Sequence, residues 1–270
     1  MNKVEAVIFD WAGTTVDYGC FAPLEVFLEI FRKEGVSVSV EEARGPMGML
    51  KIEHIRTMLA EPRIRQEWIR VKGEEPSETD VHRMNDAFED NLFQVLSHFT
   101  EPIPGVVDLV TLLRSRGIKI GATTGYTKAM MEIVAPGAKA QGYAPDCYFT
   151  ADDVKAGRPY PWMCYRNAEE LEVFPMNKLI KVGDTPTDMK EGKNAGMITV
   201  GVVLGSSELG LTKEEVEVTK TNELEERIRF VSEQLKAAGA DYVIKQIRDL
   251  EAVVNDIEGT PLPKEEGSLL

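Results

Sequence analysis

Cysteines and long apolar runs are scarce in this chain, and its 31 basic residues are outnumbered by 45 acidic ones. Its 270 residues include three cysteines, Cys20, Cys147 and Cys164, which are widely spaced and form no C-x-x-C pair. That pattern argues against a disulfide framework and a zinc site, and is typical of a reducing compartment. The net charge of −14 argues against nucleic-acid and anionic-membrane partners. No apolar run approaches transmembrane length and nothing at the N-terminus resembles a signal peptide, so we expect a soluble cytoplasmic protein.

Apolar residues are nonetheless numerous enough for a substantial core. They make up 43% of the chain, whose length suits one large domain or a core with a second module. After about residue 105, apolar runs alternate with helical patterns, and they indicate strands at 118–123, 147–150, 179–182, 198–203 and 242–244. The alternation predicts an α/β fold with a doubly wound, Rossmann-like parallel sheet.

A long helical stretch follows the first strand, which is predicted at 4–9. A parallel crossover needs only about a dozen residues or somewhat more, whereas helical patterns continue here to about residue 99. They include a helix over 46–60 and a capping box formed by Ser77 and Asp80. Much later, a single polar helix is predicted over 212–238.

This helical stretch is best interpreted as an inserted all-α cap domain. We predict the cap over 20–99 and a catalytic α/β core formed by 1–19 and 100–270. Segments near 18–22 and 98–105 would act as hinges between them.

Four short polar stretches stand where core strands end. They contain Asp10, Thr124 with Gly125, Arg158, and Asp184 with Asp188. Each has an ordinary alternative, since such residues also cap helices, form turns or lie at the surface. Because ligands of open α/β sheets bind at the carboxyl ends of the strands, we expect the four stretches to converge. Together they would offer carboxylates for a hard cation such as Mg²⁺, a nucleophilic oxygen and donors for a phosphoryl group.

In this order, the stretches resemble the haloacid dehalogenase superfamily of aspartate-nucleophile phosphotransferases. The resemblance covers the whole chain, from Asp10 through the helical insert to the Gly183-Asp184 stretch. It implies that Asp10 attacks phosphorus and forms an aspartyl phosphate. It also implies that Asp10, Asp184 and the backbone carbonyl of Ala12 bind Mg²⁺.

The same resemblance assigns the phosphoryl-binding groups. Thr124 and the N–H of Gly125 would hold phosphoryl oxygens, and Arg158 would neutralise developing charge. Asp188 would orient Arg158 or a metal-bound water. Arg158 stands where lysine is usual in the superfamily, and this substitution keeps the charge.

Ala12 is the main departure from the superfamily pattern. Phosphatases and mutases of the superfamily carry a second aspartate two residues after the nucleophile, and it protonates the leaving alkoxide. In this chain that position is Ala12, so an ester leaving group would lack its acid. Either the protein is inactive, or its leaving group does not need that proton.

The helical insert offers a different catalytic group in Lys51. At helical spacing, Lys51 shares a face with Met47, His54 and Met58, and this face is offset from an apolar stripe predicted to be buried, Ile52, Ile55 and Leu59. A lysine in such surroundings is a candidate for Schiff-base chemistry. The alternative is a solvated surface lysine.

The motifs D-W-A-G-T-T and P-M-G-M-L-K-I-E-H resemble the phosphonatases, a branch of the superfamily. The resemblance implies hydrolysis of the P–C bond of phosphonoacetaldehyde. An imine on Lys51 would accept the electrons of that bond, so that no acid would be needed at the position of Ala12. His54 would move protons near Lys51. Tyr126, Met47 and Cys20 would line the pocket or simply pack. Members of this family dimerise through the cap, which implies a homodimer.

Three other functions remain as alternatives. A sugar-phosphate mutase or phosphatase conflicts with Ala12, and a metal-free 2-haloacid dehalogenase conflicts with the Asp184–Asp188 stretch. A catalytically silent binding protein would not need Asp10, Lys51 and Arg158 together.

Overall fold

The computed structural model describes residues 3–46 and 51–259. Six strands form one sheet in the order β3-β2-β1-β4-β5-β6, and every neighbouring pair is parallel. The strands are β1 (Ala6–Phe9), β2 (Lys119–Thr124), β3 (Cys147–Thr150), β4 (Leu179–Gly183), β5 (Ile198–Val202) and β6 (Tyr242–Ile244). The predicted parallel, doubly wound sheet is confirmed. Its first strand begins two residues later than the apolar run suggested.

Within the described residues, five helices lie between β1 and the next core helix. They are α1 (Phe21–Lys33), α2 (Val40–Arg44), α3 (Lys51–Ala60), α4 (Pro62–Lys72) and α5 (Glu78–Val95). The helical insert predicted after the first strand is therefore confirmed. Helix α5 begins at the predicted capping box, in which the Asp80 carboxylate accepts from the Ser77 N–H at 2.9 Å. The short helix α2 was not predicted.

Between residues 106 and 259, seven further helices are described around the sheet. They are α6 (Val106–Ser115), α7 (Lys128–Ala140), α8 (Trp162–Glu170), α9 (Pro186–Ala195), α10 (Lys213–Val218), α11 (Thr221–Ala237) and α12 (Leu250–Glu258). The prediction of one helix over 212–238 was wrong, because Thr219 and Lys220 adopt extended backbone angles. The Thr219 hydroxyl donates to the Glu215 carbonyl at 2.6 Å, a local bond of the kind that competes with helix continuation.

Helix α3 packs differently from the prediction. His54 and Met58 are buried beside Ile55 and Leu59, whereas Ile52 is only half-buried. His54 and Met58 thus share one buried face with Ile55 and Leu59, while Lys51 is exposed, and the predicted stripe was wrong in this respect. Met47, predicted on the Lys51 face, lies outside the described residues, as do Gly48, Met49 and Leu50.

Burial of His54 is compensated by specific contacts. Its imidazole stacks on the Phe27 ring with centroids 3.6 Å apart, and Nε2 lies 2.9 Å from the Ala43 carbonyl oxygen. Burial lowers the pKa of His54 to about 4. The neutral ring therefore donates from Nε2 to Ala43, and Nδ1 carries no proton.

A buried amide joins helix α8 to strand β2. Asn167 Oδ1 accepts from the Ala122 N–H at 3.0 Å, and its Nδ2 donates to the Ala122 carbonyl at 2.9 Å. The contact requires a glycine beside it, because a Cβ on Gly121 would lie 2.3 Å from Asn167 Oδ1 and 2.6 Å from Ile8 Cδ1. This junction fixes the strand that leads to Thr124.

Membrane-crossing helices are absent from residues 3–46 and 51–259, where no helix combines sufficient length with sufficient apolar character.

Gly121→Ala should lower the free energy of unfolding by about 2–4 kcal/mol, since the added methyl group overpacks the core and displaces the Asn167 amide. Urea unfolding would measure the change. The matched control is Gly45→Ala, whose Cβ would lie 3.6 Å from the nearest atom. Equal midpoints for the two variants would contradict this account of the junction.

Burial of His54 should make stability depend on pH. In the unfolded chain a histidine titrates near 6.5, and in the fold the pKa of His54 is about 4. Its contribution is fully present above pH 6.5 and is lost as pH falls from 6.5 towards 4, because the unfolded chain binds the proton first. In this pH window, His54→Gln should reduce the slope of the unfolding free energy against pH by up to about 1.4 kcal/mol per pH unit.

Denaturant unfolding at pH 7, 6 and 5 would measure that slope. His82→Gln is the control, because the exposed His82 side chain meets similar solvent in both states. If His54→Gln and the wild type had the same slope, the imidazole would not be held neutral by burial.

Candidate active site

A cavity of about 290 Å³ lies at the carboxyl edge of the sheet, between the core and the helical insert. Its walls include ten residues predicted as site residues: Asp10, Ala12, Cys20, Lys51, His54, Thr124, Gly125, Tyr126, Arg158 and Asp184. Asp188 is fully buried next to Arg158, outside the cavity wall. The strand ends therefore converge as the parallel topology requires.

Asp10 follows β1 directly and begins a tight turn. In that turn Gly13 has a φ of +81° and donates its N–H to the Val16 carbonyl at 2.8 Å. A Cβ on Gly13 would lie 2.5 Å from Asp184 Oδ2. Glycine is needed here both for the backbone angle and for the close approach of the β1 loop to the Asp184 carboxylate.

Arg158 connects the nucleophile candidate to two other carboxylates. Its Nη2 lies 2.5 Å from Asp10 Oδ1, its Nη1 2.9 Å from Asp188 Oδ1 and its Nε 3.0 Å from Glu191 Oε2. All of its nitrogen atoms thus face carboxylates, a geometry that suits the planar guanidinium. These bonds place positive charge beside Asp10.

The Asp184 carboxylate is held by hydroxyl and backbone donors. Thr14 Oγ1 donates to Oδ1 at 3.0 Å. The Ser207 N–H and hydroxyl both donate to Oδ2, at 2.8 and 2.7 Å. Sequence reasoning assigned no role to Thr14 or Ser207, although Thr14 belongs to the D-W-A-G-T-T motif that supports the family resemblance. Their bonds fix the orientation of a carboxylate that could bind a metal.

Three aspartates could share a cation. One carboxylate oxygen from each of Asp10, Asp184 and Asp188 lies within 4.8 Å of the others, and all three residues are buried. Burial, followed by repulsion from neighbouring carboxylates, raises the pKa of Asp184 well above its ordinary value. Burial likewise raises the pKa of Asp10, although Arg158 opposes it. Asp188 differs: burial is outweighed by two cations, Arg158 and Lys181, which hold its pKa at about 2.

The buried charges of this cluster do not balance among themselves. Two cations, Arg158 and Lys181, contact three carboxylates, those of Asp10, Asp188 and Glu191. Asp184 adds a fourth, with an oxygen within 4.8 Å of oxygens of Asp10 and Asp188. When all are ionised the excess is two negative charges. A divalent cation at the three aspartates would neutralise it, and oxygen ligands of this kind are the ones Mg²⁺ prefers. The residues present therefore fit such an ion.

Sequence reasoning missed Lys181 and Glu191. Lys181 is a single charge within the apolar strand β4, and this was the one signal that could have identified it. Glu191 lies three residues after Asp188, on the same side of α9. Helix α9 itself was missed, although Thr185 and Pro186 form a typical helix start and Asp188 completes a capping box.

On the core side of the cavity, Thr124 ends β2. Its Oγ1 accepts from the Tyr126 N–H at 3.0 Å, which fixes the turn that carries Gly125. Burial raises the pKa of the Tyr126 hydroxyl and of the Cys20 thiol well above their usual values. Both side chains are therefore neutral where they line the cavity.

The insert supplies the opposite wall. Lys51 is largely exposed but borders the cavity, and its Nζ lies 5.2 Å from the centroid of the Phe88 ring. His54 lines the same wall. The core side of the cavity thus presents carboxylates and a guanidinium, and the insert side presents an amine and an imidazole.

Comparisons with known proteins show the family to which the chain belongs. The model of the haloacid dehalogenase-like hydrolase family matches residues 4–196. Proteins named phosphonoacetaldehyde hydrolase from Bacillus cereus (strain G9842) and Bacillus cytotoxicus are each 60% identical over 256 residues, covering 95% of this chain and 97% of theirs.

Solved structures agree as well. The phosphonoacetaldehyde hydrolase-like protein of Oleispira antarctica matches with a TM-score of 0.81 and 42% identity, covering 95% of this chain and 93% of that one. A hydrolase of the same broad family from Deinococcus radiodurans, at 14% identity and a TM-score of 0.66, covers 97% of this chain and 100% of its own and shares the fold. The chain therefore belongs to the haloacid dehalogenase-like hydrolases and, within them, to the phosphonoacetaldehyde hydrolase family.

Proposed function

We propose that this protein hydrolyses the P–C bond of phosphonoacetaldehyde to acetaldehyde and phosphate. The observation that carries the proposal is that one small cavity is lined by a nucleophilic carboxylate, Asp10, and by an amine, Lys51. The names of the close relatives support the same substrate.

The chemistry explains why both groups are needed. Direct cleavage of the P–C bond would expel a carbanion, which is a very poor leaving group. Lys51 condenses with the aldehyde, losing water, and the resulting protonated imine can accept an electron pair. When an Asp10 oxygen attacks phosphorus, the P–C electron pair moves into this imine and leaves an enamine on Lys51.

Two hydrolytic steps complete the cycle. Water cleaves the aspartyl phosphate and returns Asp10 as a carboxylate with release of phosphate. The enamine takes a proton on carbon to become an imine, and a second water frees acetaldehyde and the lysine. One water is released at condensation and two are used, so one water is consumed per turnover. His54 would move protons near Lys51 only as a relay, because its unprotonated Nδ1, with a pKa of about 4, is too weak a base to hold a proton.

The core residues stabilise charge on the phosphoryl group. Arg158, held 2.5 Å from Asp10, faces the position where the phosphoryl oxygens would lie. Thr124 and the N–H of Gly125 would bind the same oxygens. Asp10, Asp184 and the backbone carbonyl of Ala12 would hold Mg²⁺, which when bound supplies positive charge to the phosphoryl oxygens.

Three further proposals concern the setting of the reaction. Residues 20–99 would form a cap domain that closes over the core, because the two walls of the cavity come from the insert and the core. A homodimer formed through this cap is implied by the family. A cytoplasmic location is supported by the composition and by the three cysteines, all of which are free.

Lys51→Arg should lower kcat/KM for phosphonoacetaldehyde by more than about 10³-fold, because a guanidinium keeps the charge but cannot form the imine. Turnover with Mg²⁺ is followed through acetaldehyde and phosphate, and a parallel sample receives borohydride. We expect the wild type to carry a reduced adduct on Lys51 and the variant to carry none.

The matched control is Lys72→Arg, a lysine on α4 of the same insert. It should keep both turnover and labelling. Wild-type turnover without any lysine adduct would contradict the imine route, and absence of turnover would contradict the proposed substrate.

Ala12→Asp should add the acid that ester hydrolysis requires. General acid catalysis contributes roughly 10²–10⁴-fold, so hydrolysis of a small alkyl phosphate should rise by about 10²-fold while P–C cleavage does not gain. Ala12→Asn, of similar size but without an acidic proton, is the control. If wild-type protein already hydrolysed the ester faster than phosphonoacetaldehyde, Ala12 would not define the reaction.

A further inference from the structure

Lys181 is a fully buried lysine in β4 that the proposed reaction does not use. Its Nζ lies 2.9 Å from Thr123 Oγ1, 3.0 Å from Asp188 Oδ1 and 3.4 Å from Glu191 Oε2. All three partners are themselves buried. The lysine ammonium is therefore enclosed by a network of buried polar side chains, behind the residues that line the cavity.

Arg158 contacts the same three groups. Its Nη1 lies 2.9 Å from Asp188 Oδ1, its Nε 3.0 Å from Glu191 Oε2 and its Nη2 2.7 Å from Thr123 Oγ1. Each carboxylate is thus shared by two cations. A buried ion pair rarely stabilises a fold more than well-packed apolar residues would. Stability alone therefore does not explain the presence of Lys181.

The backbone is shaped to admit the network. A Cβ on Gly192 would lie 2.8 Å from Lys181 Cβ, and a Cβ on Gly183 would lie 2.3 Å from Asp188 Cβ. With glycines at both positions, α9 approaches β4 closely enough for its two carboxylates to reach the lysine. The proximity therefore depends on residues in both elements.

The network determines where Arg158 points. Glu191 holds Nε and Asp188 holds Nη1, so the remaining Nη2 is directed at Asp10 Oδ1. Among the described residues, Arg158 would be the one cation left in contact with Asp188 and Glu191 if Lys181 were absent. The attraction of these two carboxylates would then draw the guanidinium away from Asp10. Lys181 thus shares the negative charge that would otherwise compete for Arg158.

We propose that Lys181, together with Glu191, is a positioning residue that holds the Arg158 guanidinium towards the phosphoryl group transferred to Asp10. The inference rests on the proposed function, because it concerns the phosphoryl-transfer step of that reaction. It separates the two halves of the chemistry: the network acts on P–C cleavage and leaves imine formation on Lys51 untouched.

Two variants test the role. Lys181→Met keeps the aliphatic stem and removes the charge. Lys181→Met/Glu191→Gln removes one charge of each sign, which keeps the buried charge balance and protects folding. We expect the double variant to lower kcat by about 10²-fold, the scale expected when a group that contacts the reacting atoms is displaced by about 1 Å.

Borohydride trapping of the phosphonoacetaldehyde imine on Lys51 should remain at the wild-type level in both variants. A merely structural role would reduce trapping together with turnover. The control is Lys178→Met. Lys178 directly precedes the first residue of β4, away from the cavity, and pairs with Glu5 at 2.7 Å. It should keep turnover and trapping.

A double-mutant cycle asks whether Lys181 acts through Arg158. In an Arg158→Ala background, Lys181→Met should cost less than about 3-fold in kcat, since the group it positions is gone. An equal loss in both backgrounds, or wild-type kcat in the Lys181→Met/Glu191→Gln protein, would overturn the inference alone. A wild-type protein that neither turns over nor traps phosphonoacetaldehyde would overturn the proposed function, and this inference with it.

Discussion

Excess negative charge, buried at the carboxyl edge of a parallel sheet, is the constraint on which the site depends. Four carboxylates and two cations meet where β1, β2 and β4 end and α9 begins, and none of them can be stabilised mainly by water. Burial, and after it their mutual repulsion, raises the pKa of Asp184, whereas Arg158 and Lys181 hold that of Asp188 low. When all four carboxylates are ionised, such a cluster calls for added positive charge, which a divalent cation at the three aspartates would supply beside the guanidinium of Arg158.

The same constraint shapes the backbone. Three glycines, Gly13, Gly183 and Gly192, stand where a Cβ would fall 2.3–2.8 Å from an atom of Asp184, Asp188 or Lys181. Each lets one polypeptide segment approach a charged side chain of another. The glycines therefore set the distances within the cluster, as much as the charged side chains do.

The sheet and the convergence of the strand ends could be predicted because they follow from local periodicity and from the rules of parallel sheets. β3 and β6 were predicted with their observed bounds, and Asp10 and Asp184 were recognised by their positions after strands. The roles of Lys181 and Glu191 could not be identified in this way, since their partners come from other elements, and a lone lysine in an apolar strand indicates only that the position is unusual. His54 was placed on a semi-polar face, and its stacking on Phe27 is a tertiary contact that overrides this pattern.

In the proposed reaction, the two walls of the cavity divide the work. Phosphatases of the superfamily concentrate nucleophile, acid and cation on the core, because their leaving group is an oxygen that needs a proton. Here the electron sink stands on the insert, at Lys51, so the core needs only to attack and to stabilise charge. Ala12 and Lys51 are therefore linked: the core can lack an acid at Ala12 because the imine on Lys51 accepts the electron pair of the P–C bond. A core freed from proton transfer can devote its buried groups to fixed charge, which is what the cations around Asp188 and Glu191 provide.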